Sequence, residues 1–141
     1  PLQNLIVRGH KETKISALRV DKGLDTGNIY MKKPMSLEGS AEEIYMRAND
    51  VIENMIEEII RYNPNPIPQT GDIVVFNRRK PADSDMSKLD NIDEVYDYIR
   101  MMDAEGYLHA YIDMNGLRYE FCRVCKKADG SLIADVRIQK K

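Results

Sequence analysis

One long amphipathic helix is the strongest constraint on the fold, and the segment SAEEIYMRANDVIENMIEEIIRYNP at positions 40–64 predicts it. Ser40 followed by Glu43 forms a capping box, which satisfies two backbone N–H groups that the first turn leaves unpaired. The helix is expected to end at Asn63, because the residue before Pro64 avoids helical backbone angles. Its apolar residues lie on two adjacent i, i+4 rows, Ile44, Ala48, Val51, Met55 and Ile59 on one and Ile52, Ile56 and Ile60 on the other.

Two domains joined by a stiff connector are predicted from the distribution of proline and glycine. The segment NPNPIPQTG at positions 63–71 holds three prolines and one glycine, which favour an extended chain. The length of 141 residues is enough for one ordinary domain or two small ones. We therefore predict a first domain over residues 1–62 and a second over residues 72–141.

The first domain is expected to be mixed α/β. A short helix is predicted over residues 1–10, because Pro1 suits the first helical turn. TKISALRV at positions 13–20 predicts a strand that is apolar on both faces, which is typical of the interior of a sheet covered on both sides. NIYMKKPMSL continues as extended chain and is expected to stop near Pro34.

The second domain is predicted to contain a strand, a helix and a three-stranded meander. DIVVFNRRK at positions 72–80 predicts the strand, and PADSDMSKLD after it predicts a polar loop. NIDEVYDYIRMM at positions 91–102 predicts the helix, with Asn91 and Glu94 as cap partners. The dipeptides Asn115-Gly116 and Asp129-Gly130 predict the two turns of the meander, since Asn-Gly suits a type I′ turn with positive φ.

Metal and redox chemistry find little support in the sequence. His10 and His109 are the two histidines, and neither has a partner at metal-ligand spacing. Cys122 and Cys125 form a C-x-x-C pattern, but residues three apart on a strand are expected to point to opposite faces. We therefore expect no metal ion and no disulfide.

The overall charge and hydropathy restrict the partners. The net charge of −2, from 21 basic and 23 acidic residues, predicts no general attraction to nucleic acid or to an anionic membrane. No apolar run approaches the ~18 residues that would span a bilayer. Two cysteines do not make a disulfide framework, so a reducing cytoplasm is the expected compartment.

Two clusters remain as candidates for binding or catalysis. Arg78 and Arg79 are either part of a solvated face or contacts for the phosphates of a nucleotide or an RNA. Asp21 and Asp25, in DKGLDTG, are either part of an ordinary turn or carboxylates with a chemical role. From spacing alone, the turn is the better interpretation.

The segment PLQNLIVRGHKETKISALRVDKGLDTGNIYMK, taken as a whole, resembles the second half of the catalytic domain of formyltransferases that use 10-formyltetrahydrofolate. This family includes methionyl-tRNA formyltransferases and sugar N-formyltransferases. The matching residues are Pro1, Gln3, Gly9, Glu12, Thr13, Asp21, Gly23, Leu24, Asp25, Thr26 and Gly27. More weakly, PQTGDIVVFNRRKPADSDM resembles the connector of the family and the start of its C-terminal domain.

The resemblance implies a fold and a set of site residues. The fold would be α/β, with the second half of a Rossmann-like domain followed by a small β-barrel-like domain related to the oligonucleotide-binding fold. Asp25 would be a catalytic side chain. The backbone of Asp21, Lys22, Gly23 and Leu24, together with Asp25, would line the pterin pocket of the folate donor. The other two catalytic residues, an asparagine and a histidine in an N-x-H-x-S-L-L-P motif, do not occur here, so the N-terminal half of the same enzyme is an expected partner.

Formyl transfer to a primary amine is therefore the expected function. Residues 63–141 hold 12 basic and 13 acidic side chains, a poor footprint for tRNA, so a nucleotide-linked amino sugar is favoured over methionyl-tRNA as acceptor. Arg78 and Arg79 would contact that acceptor. The alternatives are a non-catalytic fragment that serves as a binding or assembly module, and a formyltetrahydrofolate deformylase, in which water accepts the formyl group.

Overall fold

A computed structural model describes residues 2–141, so Pro1, with which the first predicted helix would open, lies outside the described residues. The helices and strands in chain order are α1 (Leu2–Val7), β1 (Glu12–Leu18), β2 (Ile29–Ser36), α2 (Ala41–Tyr62), a 3₁₀ helix (Pro81–Ser84), α3 (Ile92–Arg100), β3 (Ala110–Met114), β4 (Leu117–Lys126) and β5 (Leu132–Lys140).

The chain forms two compact units. The first, here called the ribbon unit, consists of Lys11–Glu38 and Ile44–Val75. The second, here called the meander unit, consists, within the described residues, of 2–10, Gly39–Glu43 and Phe76–Lys141. Helix α2 begins in the meander unit and continues through the ribbon unit, so that each unit draws on more than one segment of the chain.

The ribbon unit is built on an antiparallel pair of strands, β1 and β2, with a register that runs from Glu12 opposite Ser36 to Leu18 opposite Ile29. The prediction of a strand buried on both faces is wrong for β1, whose residues are half-buried or exposed. Within residues 2–141, β2 is the one strand that pairs with it. Strand β2 also continues through Pro34, which is tolerated because a strand with an open edge does not need every N–H group.

Helix α2 begins with the predicted capping box. The Ser40 N–H donates to Glu43 Oε2 at 2.8 Å, and the Glu43 N–H donates to Ser40 Oγ at 3.2 Å. The first of the two apolar rows contains the buried residues Ile44 and Met55. The second row is largely exposed, and Ile60 retains 78% of its accessible surface. The periodicity therefore predicted the helix correctly, but only part of its apolar stripe is buried by contacts with other described residues.

The meander unit contains the three-stranded antiparallel sheet β3-β4-β5 with α3 packed against it. Both turns are as predicted: Asn115 and Gly116 have φ values of 52° and 76°, and Gly130 has a φ of 84°. The Asn91 side chain caps α3 by accepting hydrogen bonds from the backbone N–H groups of Asp93 and Glu94. The core consists of Met86, Ile99 and Ala110, with Leu89, Val95, Tyr98, Ile112, Phe121, Val124 and Ala134 packed against it.

The strand predicted for residues 72–80 is wrong, because this segment is irregular. Ile73, Val74 and Val75 are exposed, although their apolar side chains suggested a strand. A strand requires a partner for its N–H and C=O groups, and none of the described strands pairs with this segment. The polar loop that follows includes the 3₁₀ helix Pro81–Ser84.

Together with the helices, the two antiparallel sheets make a mixed α/β structure. The Rossmann-like half of the first domain and the β-barrel-like second domain stay predictions.

A β-bulge in β4 overturns the argument about the cysteine pair. The register shifts between Cys122 and Cys125, and Arg123 within the bulge has a φ of 51°. Cys122 lies opposite Asp135 and Cys125 opposite Ile133. These partners are two residues apart on β5, so both cysteines belong to the same face of the sheet. The expectation of opposite faces is wrong, because it assumed a regular strand.

Candidate active-site loop

The loop of residues 19–28, here called the active-site loop after the role that we propose for it, connects β1 to β2 and carries DKGLDTG. The Arg19 N–H donates to the Asn28 carbonyl oxygen at 2.8 Å and closes the loop at its base. Asp21 Oδ1 accepts a hydrogen bond of 2.8 Å from the Lys22 N–H. The Asp21 carboxylate therefore has a local role, of the kind that aspartate often plays in turns.

Asp25 lies near the tip of this loop in a backbone conformation that is rare for any residue except glycine. Its φ is 54°, in the left-handed region that aspartate tolerates better than most side chains. The residue is exposed, and its carboxylate has no hydrogen bond or ion pair with any of residues 2–141. The loop thus presents an uncommitted carboxylate, which can pair with a cationic or hydrogen-bond-donating group.

The residues on either side of the tip complete the surface of the loop. Lys22, Gly23 and Leu24 are exposed, and Leu24 retains 91% of its accessible surface. The N–H groups of Gly23 and Leu24 donate to no acceptor within the described part of the chain. A ligand with hydrogen-bond acceptors along one edge could be held by these two N–H groups beside the Asp25 carboxylate.

Gln69 is a residue of this site that the sequence reasoning missed. Its side-chain amide donates to the carbonyl oxygens of Asp25, at 2.7 Å, and of Gly27, at 2.8 Å. The available signal was the pair Pro68-Gln69, which takes part in the family resemblance. The sequence interpretation treated the whole connector only as a link between domains. The prolines around it suggested an extended linker rather than a segment that contacts the loop.

The predicted arginine site belongs to the meander unit, whereas the active-site loop belongs to the ribbon unit. Arg79 is half-buried, its guanidinium lies 5.4 Å from the centre of the Tyr98 ring, and it donates to the Asp83 carbonyl oxygen. These contacts indicate a structural role for Arg79. Arg78 is exposed and remains a predicted contact for an acceptor.

Two other classes of site are absent from residues 2–141. Over residues 2–141, no group of three or more histidine, cysteine, aspartate and glutamate side chains is placed to hold a metal ion. None of the helices in this part of the chain combines the length and the apolar character needed to cross a membrane.

Comparison with known proteins gives consistent matches. The family model of the methionyl-tRNA formyltransferase C-terminal domain matches residues 81–139. The solved methionyl-tRNA formyltransferase from Clostridium thermocellum is 50% identical, with a TM-score of 0.95 over 100% of this chain and 62% of that chain. Methionyl-tRNA formyltransferase from Dichelobacter nodosus is 25% identical over 125 residues, which cover 84% of this chain and 40% of that protein.

A more distant structure shares the fold. A sugar 3N-formyl transferase, solved in the presence of dTDP and 5-N-formyl-tetrahydrofolate, is 16% identical, with a TM-score of 0.52 over 99% of this chain and 58% of that chain. The chain spans less than two thirds of the length of these relatives. Together, these matches support assignment of the chain to the formyltransferase family, as the C-terminal portion of its members.

Proposed function

We propose that this chain is part of an enzyme that transfers the formyl group of 10-formyltetrahydrofolate to the amine of methionyl-tRNA. The observation that carries the proposal is the 50% identity with a methionyl-tRNA formyltransferase over the whole of this chain. The charge balance of residues 63–141 favours an amino-sugar nucleotide, which is the second candidate acceptor. The identity has more weight, because net charge does not report on the local path that an acceptor stem would follow.

The proposed reaction forms one C–N bond and breaks another. The acceptor amine attacks the formyl carbon and gives a tetrahedral intermediate with a negatively charged oxygen. When the intermediate collapses, the bond between the formyl carbon and N10 of the folate breaks. The amine nitrogen loses one proton and N10 gains one, so the products are the formylated amine and tetrahydrofolate. Positioned hydrogen-bond donors stabilise the charged oxygen, and a proton carrier serves the two nitrogens.

Asp25 is the residue of this chain to which we assign a role in that chemistry. In the family that the chain resembles, this aspartate acts together with an asparagine and a histidine of an N-x-H-x-S-L-L-P motif. That motif does not occur within these 141 residues. A carboxylate beside the histidine would orient the ring and raise the pKa of the imidazole. The exposed and unpaired state of the Asp25 carboxylate among residues 2–141 supports this role, since a partner from elsewhere can reach it.

The same loop is proposed to bind the folate donor. The backbone of Asp21, Lys22, Gly23 and Leu24 would line the pterin pocket. The N–H groups of Gly23 and Leu24, which donate to no acceptor among residues 2–141, can donate to acceptor atoms of a heterocycle. The presence of 5-N-formyl-tetrahydrofolate in the structure of the sugar 3N-formyl transferase is consistent with a folate donor. Metal chemistry forms no part of this proposal.

The test is the Asp25→Asn variant of the full-length protein, assayed for formyl transfer and for release of tetrahydrofolate. We expect the rate to fall by about 10²-fold, with the circular dichroism spectrum unchanged. Asp50→Asn, at an exposed position of α2, is the matched control and should turn over like the wild type. Wild-type turnover of Asp25→Asn would refute the assignment.

An acceptor panel tests the substrate. Methionyl-tRNA, amino-sugar nucleotides and water alone are each supplied with 10-formyltetrahydrofolate. Formylation of methionyl-tRNA supports the proposal, whereas formylation of the amino sugar supports the second candidate. Release of formate without an amine would indicate a deformylase, and binding without turnover of any acceptor would indicate a binding module. Either of the last two results contradicts formyl transfer to an amine.

A further inference from the structure

We propose that Gln69 is a positioning residue of the active-site loop, and that its side-chain amide fixes the direction in which Asp25 presents its carboxylate. The inference rests on the proposed function of Asp25. It concerns a residue 44 positions away from Asp25 in the sequence, in a segment that looks like a linker.

The first observation is that one amide group contacts the loop twice. Gln69 Nε2 donates to the Asp25 carbonyl oxygen at 2.7 Å and to the Gly27 carbonyl oxygen at 2.8 Å. A glutamine amide has two N–H donors, so both can be engaged at once. The two carbonyl groups enclose Thr26, and the peptide units on both sides of this residue are therefore held by a single side chain.

The second observation is that the segment carrying Gln69 is itself attached to the strand that follows the loop. The Ile29 N–H donates to the Ile67 carbonyl oxygen at 2.8 Å, and the Ile67 N–H donates back to the Ile29 carbonyl oxygen at 2.9 Å. Pro68, between this pair and Gln69, restricts the backbone further, because its ring fixes φ. Gln69 thus connects the tip of the loop to the first residue of β2.

The third observation is that the tip has little other support. The loop is closed at its base by the bond between Arg19 and Asn28, and Asp21 caps its neighbour. From residue 23 to residue 26 the chain is exposed, and Asp25 has a φ of 54°. A non-glycine residue in this conformation tends to relax unless neighbouring contacts hold it. Among residues 2–141, the two Gln69 bonds are the side-chain contacts that hold the backbone here.

The expected consequence is a link between Gln69 and the chemical step. A small displacement of a catalytic group can cost about 10²-fold in rate even when the group itself is intact. Loss of the Gln69 amide would leave Asp25 in place but let its carboxylate sample other directions. The rate constant of the chemical step should fall, whereas the KM for methionyl-tRNA should not change, because both Gln69 hydrogen bonds are made to the loop and Gln69 is assigned no contact with the acceptor.

The experiment uses the full-length protein with Gln69→Ala and Gln69→Glu. The glutamate keeps the size of the side chain but turns a carboxylate oxygen toward two carbonyl oxygens, so it should be at least as harmful as alanine. Gln139→Ala is the matched control, because Gln139 Nε2 donates to Glu120 at 2.9 Å within the meander unit. Hydrogen exchange of the loop amides that are hydrogen-bonded, those of Arg19 and Lys22, is measured for each variant together with kcat and the KM for methionyl-tRNA.

We expect both Gln69 variants to speed exchange of the hydrogen-bonded Arg19 and Lys22 amides by about tenfold or more, and to lower kcat by about 10- to 100-fold with an unchanged KM for methionyl-tRNA. The control should alter neither quantity. Unchanged loop exchange, or faster exchange with wild-type kcat, would overturn the inference. If the Gln69 variants loosen the loop while Asp25→Asn is fully active, the loop contact is supported and the proposed function of Asp25 fails instead.

Discussion

The carbonyl oxygen of Arg19 lies so close to Gly27 that a β-carbon at Gly27 would be 1.6 Å from this oxygen. The φ of Gly27 is not positive, so close approach of the backbone, rather than an unusual conformation, requires glycine here. The contact joins the two ends of the active-site loop. Any side chain at position 27 must therefore push the end of β1 away from the start of β2.

Gly27→Ala should consequently destabilise the ribbon unit, and we expect a loss of about 1–3 kcal/mol in the free energy of unfolding, as for other overpacked sites. Gly23→Ala is the matched control. A β-carbon there would meet the side chain of Thr26 at 2.7 Å, and that side chain can move aside. Urea denaturation of both variants measures the difference, and equal losses would contradict the explanation.

Replacing Arg100 should be among the most damaging changes in the meander unit. Its Nε donates to Asp97 Oδ1 at 2.7 Å, its Nη1 donates to the Gly39 carbonyl oxygen at 2.9 Å, and the side chain is only 3% exposed. Arg100→Met should cost about 3–5 kcal/mol, because it leaves Asp97 buried without its cation. Arg61→Met, which removes an exposed ion pair with Glu57, should cost less than about 1 kcal/mol.

The double variant Asp97→Leu/Arg100→Met tests the reason for that loss. If the unpaired carboxylate is responsible, the double variant should be more stable than Arg100→Met in thermal or urea unfolding. A double variant that is no more stable would attribute the loss to the packing of Arg100 and to its bond with Gly39.

The hairpin of β3 and β4 should lose stability in acid through Asp113. Its carboxylate accepts two hydrogen bonds of 2.9 Å from Arg118 and pairs with Lys141 at 2.9 Å. These partners, Arg118 first, hold the pKa of Asp113 far below its usual range. A lowered folded-state pKa stabilises the protein above the unfolded-state value of about 3.9, and the contribution is lost as the pH falls from there toward the folded-state pKa.

Urea unfolding of the wild type and of Asp113→Asn between pH 7 and pH 2 provides the measurement. The difference in stability should be constant above about pH 5 and shrink below about pH 4. Curves that stay parallel down to pH 2 would show that the ion pair does not contribute in this way.

The two thiols should react at different rates. Burial raises the pKa of the Cys122 thiol, whereas Cys125 is exposed. Since the thiolate is the reactive form, a disulfide reagent at pH 7 should modify Cys125 roughly tenfold faster than Cys122. The single variants Cys122→Ser and Cys125→Ser allow each rate to be measured separately by absorbance. Equal rates in the folded protein, or a faster Cys122, would contradict the exposure and the pKa direction.

The elements that could be predicted from the sequence are those whose signals are local. The capping box of Ser40 and Glu43, the cap at Asn91 and the turn at Asn115-Gly116 each depend on residues within four positions of one another. Asp25 was different, because its spacing favoured an ordinary turn and only the family resemblance singled it out. Its catalytic role stays a prediction until the variant is assayed.

Tertiary structure decided the features that depend on distant partners. Whether residues 72–80 form a strand depends on a pairing strand, and the bulge that brings Cys122 and Cys125 to one face depends on β5. Gln69 contacts the loop across more than forty positions. Hydrogen bonds of this kind leave no periodicity or spacing in the sequence, because the chain must fold before donor and acceptor meet. Local patterns therefore determined the helices and turns, and tertiary contacts determined how the active-site loop is held.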